Sequence, residues 1–218
     1  YDGTLPVSSV QVTPPLPATG WYTNSVRLDF TATDLPVDET LPPAVGTQLD
    51  GAAWAVSTGL TVGAEGTHRL LYQARDKAGN LEAAKELRFG IDLTPPVATL
   101  TADRLPAATG WYTAPVTYTL AVTDAVSGGA TGYYRLNDGP WQQGAGFTLA
   151  ADGSYRIESY AVDAAGLRSA VNTIEAHLDG TAPLTSTLID GVAGDNGWYR
   201  SPVTVTLQPV DPVSGVLS

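Results

Sequence analysis

Apolar and polar residues alternate along three separate stretches of this 218-residue chain. Val26, Leu28, Phe30 and Ala32 share one parity in the first. Val116, Tyr118, Leu120 and Val122 do so in the second, and Val203, Val205 and Leu207 in the third. Alternation of this length marks a strand with one buried and one wet face. The same corner precedes each stretch: Gly20-Trp21-Tyr22-Thr23, then Gly110-Trp111-Tyr112-Thr113 after 90 residues, then Gly197-Trp198-Tyr199-Arg200 after 87. Self-similarity at such a period is the signature of a tandem array.

The other elements recur in the same order. A first strand is expected at Ser9-Val10-Gln11-Val12, Ala98-Thr99-Leu100-Thr101 and Ser186-Thr187-Leu188-Ile189. After the alternating strand comes a loop, lengthened in the first copy to a Pro-rich segment at 35–43. Tyr133-Tyr134-Arg135-Leu136 then leads into an Asn137-Asp138-Gly139-Pro140 turn and Trp141, matched by Gln48-Leu49-Asp50-Gly51 and Trp54. Asp-Gly between apolar runs is a strong hairpin signal. Short strands are expected at 59–62 and 146–149. Longer ones carry Leu70, Tyr72 and Ala74, or Ile157, Ser159 and Ala161, and end in Asp76-Lys77-Ala78-Gly79-Asn80 or Asp163-Ala164-Ala165-Gly166. A last strand covers 84–91 and 171–178. No segment sustains a helical period. About seven short strands per copy, with turn signals every 8–12 residues, predict an all-β sandwich. Asp2-Gly3-Thr4-Leu5-Pro6, Asp92-Leu93-Thr94-Pro95-Pro96 and Asp179-Gly180-Thr181-Ala182-Pro183 mark equivalent starts. The expected domains are therefore 1–91, 92–178 and a partial third, 179–218, holding the first two strands only.

Composition narrows the function classes. Only 15% of residues are charged, against about 25% in ordinary soluble domains. With 22 acids, 11 bases and a net charge of −11, the chain lacks the basic stripe that nucleic acid or an anionic membrane surface requires. No apolar run approaches the roughly 20 residues of a spanning helix. Cysteine is absent, which excludes disulfides, thiolate nucleophiles and Cys-ligated zinc. Methionine is absent too, and Tyr1 takes the place of Ile91 and Leu178, the last strand residues of their copies. The expectation is an internal piece of a longer polypeptide.

Residues Glu65-Gly66-Thr67-His68-Arg69-Leu70-Leu71-Tyr72-Gln73-Ala74-Arg75-Asp76-Lys77-Ala78-Gly79-Asn80, the Gly-Trp-Tyr corner and the Asp-Gly hairpin before a Trp resemble bacterial immunoglobulin-like repeats. Such modules belong to long secreted and cell-surface proteins. The resemblance implies tandem immunoglobulin-like β-sandwiches, beads on a string, at an extracellular or bacterial cell-surface location. It implies stalk, surface-layer, filament, adhesin or enzyme-spacer roles. Asp152-Gly153-Ser154-Tyr155-Arg156-Ile157 is similar to the tyrosine-corner strand of immunoglobulin domains, with Ile157 where a cysteine would sit. The first copy departs from it, with His68 in place of Tyr155.

Candidate chemistry is sparse. His68 and His177 are the only histidines and occupy different repeat positions, and nothing supplies a serine elbow or the ligand spacing of a histidine metal site. No catalytic residue is expected, and the chain is read as a non-enzyme. The acids collect at strand ends. In an immunoglobulin topology the start of the first strand and the loops after the second and sixth share one pole. Asp92, Asp124 and Asp163 would then converge, with Glu65 of the preceding copy nearby. Asp152, Asp179 and Asp211 could repeat this at the next junction. Calcium takes 6–8 oxygens of this kind and is the one cofactor to consider, in a layout similar to cadherin junctions. The plainer reading, that each Asp ends its strand, stands ahead of it.

Trp21, Trp111 and Trp198, with Trp54 and Trp141, either seal core edges or stack on sugar rings. Two strands alone would leave Val203, Val205 and Leu207 facing water, so the third copy is expected to continue beyond Ser218 or be completed by another subunit. The expected function is a non-catalytic, semi-rigid rod segment. Its partners would be neighbouring repeats, or identical subunits in a polymer or lattice. An adhesin arm or carbohydrate-binding accessory of a secreted enzyme is the alternative.

Overall fold

The computed structural model describes residues 2–34 and 42–216. Most of the Pro-rich loop expected at 35–43, together with Tyr1 and Ser218, lies outside the described residues. The three alternating stretches form strands. The first repeat forms β1 (Val7–Thr13), β2 (Trp21–Tyr22), β3 (Val26–Thr33), β4 (Ala44–Leu49), β5 (Ala55–Val56), β6 (Gly59–Val62), β7 (Gly66–Arg75) and β8 (Lys85–Ile91). The second forms β9 (Val97–Ala102), β10 (Trp111–Tyr112), β11 (Val116–Thr123), β12 (Thr131–Leu136), β13 (Gln142–Gln143), β14 (Gly146–Leu149), β15 (Gly153–Val162) and β16 (Asn172–Leu178). The third has β17 (Leu184–Asp190) and β18 (Thr204–Val210).

Each complete repeat folds as two facing sheets. In the first they run β1-β3-β6 and β2-β8-β7-β4-β5; in the second, β9-β11-β14 and β10-β16-β15-β12-β13. This order, with one sheet led by a two-residue parallel pairing, is that of an immunoglobulin-like sandwich. The chain is an all-β protein built of such sandwiches in tandem.

The Gly-Trp-Tyr corner is itself the two-residue strand. Trp21 and Tyr22 pair parallel with Gly90 and Ile91, and Trp111 and Tyr112 pair with His177 and Leu178. The hairpins turn as type I′, at Asp50-Gly51 in the first repeat and at Asn137-Asp138 in the second. Asp50 and Gly51 have φ of 49° and 76°, and Asn137 and Asp138 have 49° and 58°. Positive φ at both central residues matches the strand twist, and Asn, Asp and Gly tolerate it best.

By contacts the chain divides into two compact units. One comprises Tyr1–Ala98, Val122–Thr131 and Ala161–Ala170; the other comprises Thr99–Ala121, Gly132–Tyr160 and Val171–Ser218. The core of the first unit is Tyr22, Val26, Leu28, Phe30, Val45, Val62, Leu70, Phe89 and Ile91. The core of the second is Tyr112, Val116, Tyr118, Leu149, Ile157, Ala176 and Leu178. The alternating residues of β3 and β11 point into these cores. Those of the third stretch do not: Val203, just before β18, and Val205 and Leu207 within it are exposed, as the two-strand hairpin of β17 and β18 requires.

Candidate functional site

Polar groups gather where each linker leaves its repeat. In the first unit, the Asp92 N–H donates to the Tyr22 carbonyl at 2.8 Å, continuing the pairing of β2 with β8 by one residue. Glu65, in the loop before β7, accepts from the Leu93 N–H at 2.6 Å and the Thr94 hydroxyl at 3.0 Å. Asp92 closes an Asx turn through Oδ1 on the Thr94 N–H, and its Oδ2 accepts from Ser127 N–H at 3.1 Å. Asp92 is fully buried.

The second unit repeats the pattern. Asp179 N–H donates to Tyr112 carbonyl at 2.8 Å. Asp152 accepts from Gly180 N–H at 2.7 Å and from the Thr181 hydroxyl at 2.5 Å. Asp179 accepts from Thr181 N–H through Oδ1 and from Ser214 N–H through Oδ2. Hydrogen bonds from Ser214 and Thr181 hold the Asp179 carboxyl below the usual range.

Asp92, Asp124 and Asp163 do come together in the first unit, each offering an oxygen within 4.8 Å of those of the other two. Asp124 Oδ1 accepts from Val126 N–H at 3.0 Å and Gly128 N–H at 2.7 Å. Burial pushes its carboxyl up, but these donors outweigh it and hold it below the ordinary value. Asp163 Oδ1 accepts from Leu167 N–H at 2.9 Å. Glu65 stands outside this group, both its oxygens being taken by the linker. Asp211 accepts from Val213 and Ser214 N–H, and Asp152 is likewise committed to its linker. A second trio, Asp2, Asp34 and Asp76, likewise brings one oxygen from each carboxylate within 4.8 Å of the other two in the first unit. It lies one repeat period before Asp92, Asp124 and Asp163, and carrying the register back to the chain start would have found it.

Each histidine is held by a neighbouring group. His68 is buried, with Nδ1 2.8 Å from Asp50 Oδ2 and Nε2 2.8 Å from the Ala64 carbonyl. His177 Nδ1 faces Ser154 Oγ at 2.9 Å, its direct cross-strand partner, and its ring lies 5.1 Å from that of Trp111. The tryptophans divide. Trp21 lies on Gly90 and Trp54 on Gly46. Trp141 meets Tyr160 edge-on at 4.6 Å beneath the Arg135 guanidinium. Trp54 is 42% exposed and Trp198 78%.

No family model and no curated protein matches the chain. Among solved structures it is similar to the fibronectin(III)-like modules of Clostridium thermocellum CbhA, at 14% identity over 78% of this chain and 94% of that one, with a TM-score of 0.37. A 1.5-MDa bacterial ice-binding adhesin, whose structure concerns host cell surface retention, matches at 13% identity over 90% and 72%, TM-score 0.39. Chitinase ChiA74 of Bacillus thuringiensis matches at 13% over 82% of this chain and 28% of that one, TM-score 0.30. Likenesses of this strength put no ligand, substrate or partner on this chain.

Proposed function

We propose that the chain is a non-catalytic structural segment of a bacterial extracellular or cell-surface protein, in which stiff linkers join successive sandwiches in a surface layer, filament or stalk. The linker geometry carries this reading. Three successive linker residues are hydrogen-bonded to the repeat they leave, and the first is also bonded to the loop of the repeat they enter. The same bonds occur at 92–94 and at 179–181. A tether whose donors and acceptors are taken up in this way is not free to sample the coil, and the prolines beyond it fix φ further. The full use of the His68 nitrogens supports a packing role for the one buried histidine. Its partners are neighbouring repeats of the same polypeptide or identical subunits.

Electron microscopy of the parent protein at the cell surface tests the reading. An ordered filament or lattice is the expected result. Isolated strands each carrying a separate globular head would make the segment a spacer and move the function elsewhere. A second reading, an adhesin or carbohydrate-binding module, has one observation in its favour. Trp54, Val56 and Leu81 are exposed beside Gln73 and Arg75 in a groove of about 270 Å³ on the β4–β5 edge. An exposed indole face beside polar side chains suits a sugar ring, and saturable glycan binding abolished by Trp54→Ala would favour it.

A further inference from the structure

The two aspartate trios of the first unit differ in what satisfies their third aspartate. In the Asp2, Asp34, Asp76 trio, Asp76 is buried and both of its oxygens are satisfied: Oδ1 by Gly79 and Asn80 N–H, Oδ2 by the Asn80 side-chain amide at 2.8 Å. In the Asp92, Asp124, Asp163 trio the residue equivalent to Asn80 is Leu167. Leu167 gives Asp163 Oδ1 its backbone N–H but has no side-chain donor for Oδ2. Asp163 is only 7% exposed, and its Oδ2 is buried without a hydrogen-bond partner; so is Oδ2 of Asp124.

An unpartnered polar atom is rare inside proteins, because burial without compensation costs free energy. Here two orphaned carboxylate oxygens sit in a group of three carboxylates, so like-charge repulsion adds to desolvation. A divalent cation answers both problems at once.

We infer that Asp92, Asp124 and Asp163 form a calcium site at the start of the second repeat, with Asp163 Oδ2 and Asp124 Oδ2 as ligands left open by the protein. The donors are all hard oxygens, which favours calcium or magnesium over zinc or copper. Two oxygens on one calcium ion, each at 2.3–2.6 Å, can stand up to about 5 Å apart, and one oxygen from each of the three carboxylates lies within 4.8 Å of the other two. Three anionic ligands from separate segments suit the flexible shell of calcium better than the strict octahedron of magnesium. The site lies wholly within the first unit, and Asp92 belongs to the bonded linker. Bound calcium would therefore tie the loops after β11 and β15 to that linker. The inference is independent of the structural role: linker order measured in chelator reports on that role, and calcium binding reports on this site.

The test is isothermal titration calorimetry of the full 218-residue chain with calcium chloride, and with magnesium chloride for comparison. The expected dissociation constant is about 10⁻⁴ to 10⁻³ M, the range of extracellular calcium modules. Asp163→Asn is expected to weaken this site at least about tenfold, the loss of one of three anionic ligands. Leu167→Asn keeps all three carboxylates and supplies the amide that Asn80 gives Asp76. It is expected to weaken calcium binding while leaving the melting temperature in chelator at or above that of the wild type. If Asp163→Asn fails to fold, Leu167→Asn alone decides. Unchanged calcium heats in the variants, or no wild-type binding up to about 10 mM, well beyond that range, would overturn the site.

Discussion

His68 stands where the second repeat has Tyr155, yet the two side chains make the same bond. Tyr155 donates its hydroxyl to the Ala151 carbonyl at 2.7 Å, and His68 Nε2 meets the Ala64 carbonyl at 2.8 Å, each four residues upstream. The corner is kept and only its donor is changed. Tyr155→Phe should therefore cost about 1 kcal/mol, the usual net value of one hydrogen bond, read by urea denaturation. His68→Tyr should retain the corner and lose only the Asp50 contact.

A similar exchange joins Glu82 to Ser169, which respectively accept from the Ala74 and Ala161 N–H. Glu82 also accepts from Ser8 N–H and Oγ and pairs with Lys85. Burial pushes the Glu82 carboxyl up, and these partners together bring it below its ordinary value. A carboxyl depressed in the folded state stabilises fully above its unfolded value, about 4.3, and loses that contribution as pH falls through the lower folded value. Glu82→Gln should therefore destabilise by about 2 kcal/mol at neutral pH. The gap should close below about pH 4, and a constant gap across pH would contradict the assignment. Ser169 carries no charge and brings no such dependence to the second repeat.

At the scale of elements, the corner strands matter most. Trp21 lies flat over Gly90, its partner across the parallel pairing, and a Cβ on Gly90 would collide with the indole ring. Gly90→Ala should cost about 1–3 kcal/mol, as overpacking does. Gly46 beneath Trp54 would place a Cβ at 3.4 Å from the ring, an ordinary contact. Gly46→Ala should be close to neutral by thermal melting, and the contrast between the two is the informative result. In the cores, Leu70→Ala and Ile157→Ala should each cost about 2–5 kcal/mol, since both side chains are fully buried.

The long strands were legible because their period of two is a local property of the chain. Val26, Leu28 and Phe30 could be placed on the core face without knowing what covered them. The parallel pairing of Trp21 and Tyr22 with β8 was not legible as a strand. It depends on residues about seventy positions away, and two residues carry no period. The pole that gathers Asp92, Asp124 and Asp163 followed from topology. The target of Glu65 did not, because the choice between a carboxylate group and a backbone N–H turns on the path of the linker. Nor did the orphaned Asp163 Oδ2, which depends on Leu167 standing where the first repeat has Asn80.

For the whole molecule, the account rests on the linkers. Glu65 and Asp152 each hold two successive linker residues of the repeat they close, and Asp92 and Asp179 reach forward to Ser127 and Ser214. Among the described residues, no helix is long and apolar enough to cross a membrane. Glu65→Ala should free the Leu93 and Thr94 groups with little loss of sandwich stability, because Glu65 lies at the exposed surface of its loop. The most direct measurement is ¹⁵N relaxation of the Leu93, Thr94, Gly180 and Thr181 amides in chelator, wild type against Glu65→Ala and Asp152→Ala. Stiff linkers predict wild-type order parameters near those of rigid backbone, about 0.85, falling only in the variant that lacks the local carboxylate. Wild-type values below about 0.6, in the flexible range, would show the repeats to be loosely tethered and contradict the structural reading.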